Sequence, residues 1–339
     1  MVNPGCSSVR VRQNAQVVRV DYHNRGSRGD VSDFRLVYIG GLGRSGSTVI
    51  ERLLGELPQV CSVGEVAHLW QRMLIDGEAC GCGEPFLRCA FWREVGEEAF
   101  GGWSRVRPSD ILRLKGSVDR LRFLPRLLRR GLPADLAARV DRYTVMYDRL
   151  YAATARVDGS QVVVDGSKHA SMAACLSHRY GADDLRIVHV VRDPRAVAYS
   201  WAKRRARPMA TGVSKEREMA RYSPGRAAVQ WNAENTALTL LARRGVPTLR
   251  IRYEDFAARP WETLAEISGF AGLADEAPLG PNRTAALSPT HAVCGNPALW
   301  RSDHITVRED TSWRSELGLR DRALVSVLTA PTRPLFGYR

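Results

Sequence analysis

Leu36-Val37-Tyr38-Ile39-Gly40-Gly41-Leu42-Gly43-Arg44-Ser45-Gly46-Ser47-Thr48 decides the fold. A short apolar run stopped by two glycines reads as a strand buried in a parallel sheet. Thr48, Val49, Ile50, Leu53, Leu54 and Leu57 then recur at helical spacing until Pro58 closes the helix. Glycines between strand and helix let backbone N–H groups turn inward, and the helix N-terminus adds positive potential, which is how a phosphate is held. The spacing of Gly41 and Gly46 matches the nucleotide triphosphatase loop except at one place, where Ser47 stands instead of lysine. Without an ammonium at the β- and γ-phosphates, ATP or GTP hydrolysis is not expected; the loop keeps a cation earlier, at Arg44. Taken alone, these residues also fit a Gly-rich turn with no ligand.

Outward from this stretch, further strand-like runs are Val162-Val163-Val164, Leu185 to Val191 and Val246 to Ile251. Helical patterns cover roughly 64–76, 109–130, 134–156, 170–180, 195–206, 215–243 and 260–271. Strands alternating with helices predict an α/β fold, a P-loop-type parallel sheet flanked by helices. A helical insertion is expected near 77–160. Residues 275–310 carry four prolines with little periodicity and read as a C-terminal lid loop. Residues 1–33 show no period and are expected to form a flexible N-terminal arm, with 34–339 one domain.

Val190-Val191-Arg192-Asp193-Pro194-Arg195-Ala196-Val197-Ala198-Tyr199-Ser200 again puts a cation at the C-terminal end of a strand. Ser200 and Arg204 are four apart in the expected helix 195–206 and therefore share one helix face. Ligands of open parallel sheets bind at the carboxyl ends of the strands. Two anion sites on neighbouring strand ends suit a nucleotide phosphorylated at both ends of its ribose.

With both constellations in order and about 150 residues apart, the sequence resembles the sulfotransferases that use 3′-phosphoadenosine 5′-phosphosulfate (PAPS). Arg44-Ser45-Gly46-Ser47-Thr48 is similar to that family's 5′-phosphosulfate loop, and Arg192 with Ser200 to its 3′-phosphate motif. The layout is nearest the tyrosylprotein sulfotransferase-like branch, which includes many bacterial enzymes. The resemblance runs from about Leu36 to Trp313, weakly in the middle, and implies sulfonate transfer from PAPS to a hydroxyl, leaving adenosine 3′,5′-bisphosphate.

Such a transfer is an in-line displacement needing a base for the acceptor proton and cations for the leaving phosphate. Glu65 lies 21 residues past Arg44, the offset of the catalytic glutamate in the tyrosylprotein branch, and is the expected general base. Without that match it would read as a first-turn glutamate complementing a helix dipole. Lys168, in Asp165-Gly166-Ser167-Lys168, resembles the family lysine that contacts the transferring group; otherwise it is a surface lysine. Arg44 is counted with both the catalytic and the cofactor-binding residues. Tyr253 resembles a tyrosine near the cofactor, and Arg301 belongs to a segment like the one that closes over the 3′-phosphate. His291 reads as a structural hydrogen-bonding histidine. Asp165 has a rival reading as the magnesium-positioning acid of a nucleotide triphosphatase, which Ser47 weakens. The alternative function is accordingly a P-loop kinase or NTPase using ATP and magnesium.

The 339 residues are 44% hydrophobic, 25% charged and 8% aromatic, which fills an ordinary core and excludes wholesale disorder. No apolar run reaches the roughly 18 residues of a membrane span, and no secretory h-region opens the chain, so a cytoplasmic protein is expected. The net charge is +14, and only four of the 50 basic residues are lysines. Arginine suits phosphate and sulfate. The arginine-rich stretch 105–156 raises nucleic acid as a partner, but its leucines fit amphipathic helices with a solvated basic face. The expected partner is a small-molecule alcohol or phenol, such as a natural product, and not nucleic acid. The seven cysteines disfavour a disulfide scaffold. Cys80, Cys82 and Cys89 supply three thiols with His68 not far away, but zinc needs four ligands and the spacing is not the paired C-x₂-C form. Buried thiols or a local redox bridge are the reading preferred there, and no metal is expected.

Overall fold

A computed structural model describes residues 34–129, 131–204, 218–273, 282–295 and 303–339. The expected N-terminal arm and Arg301 lie outside the described residues.

Five parallel strands form one sheet: β1 (Arg35–Gly40), β2 (Val60–Gly64), β3 (Val162–Lys168), β4 (Leu185–Val191) and β5 (Thr248–Arg252), in the order β2-β3-β1-β4-β5. The α/β class with a parallel sheet flanked by helices is thus the observed one. β1 sits at the centre. Leu36 and Tyr38 face one hydrophobic core while Val37 and Ile39 face a second, so burial on both sides explains its unbroken apolar run. β2, an edge strand, is absent from the strands expected above. Its Ser62 interrupts the apolar pattern, and register with Val162, Val163 and Val164 defines it instead.

α1 (Ser47–Leu54) follows the glycine-rich loop. Between β2 and β3 come α2 (Ala90–Phe100), α3 (Pro108–Val118) and α4 (Ala134–Asp158). They bury an aromatic cluster that includes Trp70, Phe86, Trp92, Tyr143, Tyr147 and Tyr151 against the Leu36 face of the sheet. α5 (Ala170–Leu176) follows β3, α6 (Pro194–Ala202) follows β4, and α7 (Pro224–Arg243) precedes β5. α8 (Tyr253–Ala258) and α9 (Pro260–Ala271) follow β5. Thr284–Ala286 and His304–Thr306 pair as a small antiparallel ribbon inside the stretch read as a lid. α10 (Leu319–Thr329) packs Val325 on Ala227 and Ala228 of α7 and Ala198 of α6. Among the described residues, no helix is long and apolar enough to cross a membrane.

Candidate active site at the strand ends

The loop from β1 to α1 is shaped by neighbours that leave no room for side chains. Gly41 has φ +136°, and a Cβ there would lie 2.3 Å from the Val190 carbonyl oxygen on β4. Gly46 has φ +87°, and its Cβ would meet the Tyr253 ring at 2.3 Å. Arg44 itself is held at φ 76°, a left-handed conformation costing about 1–2 kcal/mol in a non-glycine residue. The Ser45 hydroxyl donates to the Leu42 carbonyl at 2.7 Å, tightening the turn. Ser47 is the first residue of α1 and buried, so its amide stands at the helix N-terminus where anions are favoured. Thr48 follows, half-buried. The Arg44 guanidinium lies over the Trp201 ring, 5.2 Å from its centroid.

Arg192, just past the end of β4, is buried beside this loop. Its Nη1 donates to the Arg44 carbonyl at 3.2 Å and its Nη2 to the Asp310 carbonyl at 2.9 Å. Its guanidinium stacks 4.4 Å from the Tyr253 ring centre, so one tyrosine packs on both Arg192 and the glycine-rich loop. The Tyr253 hydroxyl donates to the Arg308 carbonyl at 3.0 Å. Asp193 caps α6, accepting from the Arg195 amide at 2.8 Å. Ser200 is buried in α6. Arg204 departs from the expected geometry. α6 ends at Ala202, Lys203 is extended (φ −65°, ψ 140°), and the exposed Arg204 lies beyond the helix, so it does not share a helical face with Ser200.

Glu65 and Lys168 meet across the β2–β3 edge. Lys168 Nζ lies 2.5 Å from Glu65 Oε1 and donates to the Gly166 carbonyl at 2.8 Å. Lys168 also sits at φ 74°, and its own carbonyl accepts the Gly41 amide at 3.1 Å. The acid–base pair is thereby tied directly to the glycine-rich loop. Glu65 lies just past the end of β2 rather than beginning a long helix, and only short turns occupy Val66–His68 and Leu69–Arg72. His68 Nε2 is 4.0 Å from Glu65 Oε2, so that histidine lies by the carboxylate and is not among the donors grouped with the thiols.

Asp165 braces this strand end. It accepts from the Tyr151 hydroxyl at 2.6 Å and from the Ser167 amide and hydroxyl, while Ser167 accepts from the Ala67 amide at 2.9 Å. Burial outweighs these bonds and raises its pKa to about 6. Its oxygens are engaged inside the protein, unlike those of a magnesium-positioning acid. Glu51 on α1 was not singled out from sequence. It is buried, accepts from Ser62 at 2.9 Å, and desolvation raises its pKa to about 7 against the opposing pull of Lys168. Its neighbour Arg52 is charged and buried as well, so the helical period around Glu51 does not single it out.

The three clustered thiols also find a histidine, but it is His291. The ligand atoms of Cys80, Cys82, Cys89 and His291 all lie within 4.8 Å of one another. The fourth donor beside the thiols is thus His291, where the sequence had offered His68.

Comparisons with known proteins found sulfotransferases. Carbohydrate sulfotransferase 3 of Mus musculus is 28% identical over 170 residues, 46% of this chain and 34% of that protein. The chain thus matches about a third of the length of this curated relative. Among solved structures, the sulfotransferase domain of the Synechococcus PCC 7002 olefin synthase is 19% identical, with TM-score 0.43, covering 92% of this chain and 98% of that one. A sulfotransferase from Mycobacterium tuberculosis H37Rv is 18% identical, with TM-score 0.37, covering 71% of this chain and 68% of that one. A third, from Alicyclobacillus acidocaldarius, is 16% identical, with TM-score 0.35, covering 88% and 95%. No family model matches the chain. The sequence relative supports a sulfotransferase family, without distinguishing the tyrosylprotein-like branch.

Proposed function

We propose that this chain transfers sulfonate from PAPS to a hydroxyl of a small-molecule acceptor, with Glu65 as general base. The observation that carries this reading is the Glu65–Lys168 pair held against the glycine-rich loop through the Gly41–Lys168 hydrogen bond. A base, a cation and an anion cradle then share one strand-end cleft.

The residues fit the nucleotide. Gly41 packed on Val190 and Gly46 packed on Tyr253 fix the turn of the loop, and Arg192, bonded to the Arg44 carbonyl, brings a second cation beside that of Arg44. Arg44 and the amides of Ser45 to Thr48 would hold the 5′-phosphosulfate. Arg192, Ser200 and Tyr253 would hold the adenosine 3′-phosphate end; we keep Arg204 and Arg301 as contacts from the flanking segments. When bound, PAPS supplies an activated sulfuryl group with a phosphate as leaving group. Glu65 takes the acceptor proton as the new O–S bond forms and the old S–O bond breaks. Lys168 loses its partner's negative charge at that moment, and its ammonium is then attracted to the charge developing on the departing oxygen.

The relative's name concerns carbohydrates, so sugar hydroxyls belong beside phenols and aliphatic alcohols in the acceptor panel. The test is incubation with sulfur-labelled PAPS and each acceptor. Label in an acceptor together with stoichiometric adenosine 3′,5′-bisphosphate is expected; phosphoryl transfer from ATP–magnesium instead would overturn the reading.

A further inference from the structure

Cys80, Cys82 and Cys89 come from one loop and the start of α2, and His291 comes from a segment 202 residues beyond Cys89. His291 Nδ1 lies 3.3 Å from Cys89 Sγ and 3.7 Å from Cys80 Sγ, and the Cys82 and Cys89 sulfurs are 3.8 Å apart. A zinc ion bound at about 2.3 Å to sulfur and about 2.0 Å to nitrogen has tetrahedral edges of about 3.8 Å (S to S) and about 3.5 Å (S to N). The two S–N separations bracket their edge, the Cys82–Cys89 separation matches the S–S edge, and all four donor atoms lie within 4.8 Å of one another. They are far longer than the roughly 2.05 Å of a disulfide.

The surroundings hold the four donors in place. The Cys80 carbonyl accepts the Gly83 amide at 2.9 Å, and the Cys80 amide donates to the Glu84 carbonyl at 2.8 Å, curling 80–84 into a tight turn. A Cβ on Gly81 would meet the carbonyls of Thr290 and Ala292 at 2.8 and 2.9 Å, so this turn lies directly on the His291 segment. Cys89 immediately precedes α2, so its sulfur is placed by the start of that helix. The His291 ring stacks on Phe91 at 4.7 Å, and Trp92 Nε1 donates to the His291 carbonyl at 2.7 Å, fixing the ring with Nδ1 toward the sulfurs.

We propose that Cys80, Cys82, Cys89 and His291 bind one structural zinc ion that fastens the 80–89 loop to the segment beside Glu65. Four protein donors close the tetrahedron, which is the structural rather than the catalytic arrangement. The soft thiolate-rich set selects zinc over magnesium or calcium. The fastened segment reaches the base directly: the Val293 amide donates to the Val63 carbonyl at 3.0 Å, and the Glu65 amide to the Val293 carbonyl at 2.7 Å. Arg72, paired with the buried Glu78, donates to the Cys294 carbonyl at 2.6 Å. The ion would thus set the backbone on which Glu65 stands without touching substrate.

Elemental analysis of the full chain, purified under reducing conditions without metal-affinity resin, tests this. About one zinc per chain is expected, reduced at least tenfold in Cys89→Ser and in His291→Ala and retained in Cys61→Ala. Because a ligand variant can simply fail to fold, chelator-treated wild type is also titrated with cobalt(II). The expected result is a one-equivalent endpoint with the intense visible bands of tetrahedral cobalt and thiolate charge transfer, abolished by zinc. A folded, reduced protein with no zinc and no cobalt spectrum overturns the proposal, as does a Cys82–Cys89 disulfide in metal-free protein. None of these readouts uses sulfonate transfer, so the metal site and the proposed activity stand or fall separately.

Discussion

Lys168 Nζ lies 2.5 Å from Glu65 Oε1 although the two residues are 103 positions apart, and the lysine backbone is in the left-handed region to make that contact. Such a conformation persists where surrounding structure over-determines it, and it concentrates at functional sites. Here the β3 pairing, the Gly166 carbonyl and the Gly41 amide all fix it.

Replacing the base while keeping its shape gives the first expectation. Glu65→Gln lowers kcat by about 10²- to 10⁴-fold, the range for loss of a general base. Lys168→Ala lowers it by about 10²- to 10³-fold, as for loss of one transition-state donor. Adenosine 3′,5′-bisphosphate affinity changes little in Glu65→Gln. Steady-state kinetics with the acceptor found in the screen, together with calorimetry, check both statements.

Glycine substitutions separate strain from collision. Gly41→Ala places a Cβ 2.3 Å from a backbone oxygen that cannot swing away, in addition to its φ of +136°. A loss of about 2–3 kcal/mol is expected, above the roughly 1–2 kcal/mol of left-handed strain alone. Gly159→Ala, also at positive φ but with nothing within 4 Å, is the reference for strain alone. Gly46→Ala drives the Tyr253 ring off its seat and so loosens Arg192, weakening nucleotide binding as well as stability. Denaturant melts of the three variants, with bisphosphate affinities, give the comparison.

The central strands were legible because burial on both faces gives β1, β3 and β4 short apolar runs, Leu36–Ile39, Val162–Val164 and Ile187-Val188 with Val190-Val191, despite the polar residues around them. The loop followed from glycine spacing and one missing lysine. β2 was hidden by Ser62 and by its place at the sheet edge. α2 lies outside the helical patterns expected above because it buries only Trp92, Val95 and Gly96, too narrow an apolar stripe to stand out. The helix through Ser200 was drawn too long: past Ala202 the like-charged run Lys203-Arg204 offers no apolar face to extend it. Glu51 and His291 depend on contacts that no local period encodes. His291 in particular meets its thiols across 202 positions.

Glu51 makes stability depend on pH with a definite sign. Its pKa rises on folding from 4.5 to about 7, so between those values the folded state holds more protons than the unfolded one. Stability contributed by this group therefore falls as pH rises from about 4.5 to about 7, by an order of 3 kcal/mol at most. Glu51→Gln removes that slope. The variant is expected to gain stability relative to wild type at pH 8 and to gain little or nothing at pH 5, as measured by urea unfolding at the two pH values. An equal effect at both pH values would contradict the assignment.

Calorimetric titration with adenosine 3′,5′-bisphosphate, beside ATP–magnesium, tests the central claim most directly. Arg192 is buried on the Arg44 carbonyl and under Tyr253, so its loss should remove charge-assisted hydrogen bonds worth about 10- to 100-fold in affinity. The account predicts tight binding of the bisphosphate, none of comparable strength for ATP–magnesium, and that weakening in Arg192→Ala. Preference for ATP–magnesium, or bisphosphate binding indifferent to Arg192, would contradict it.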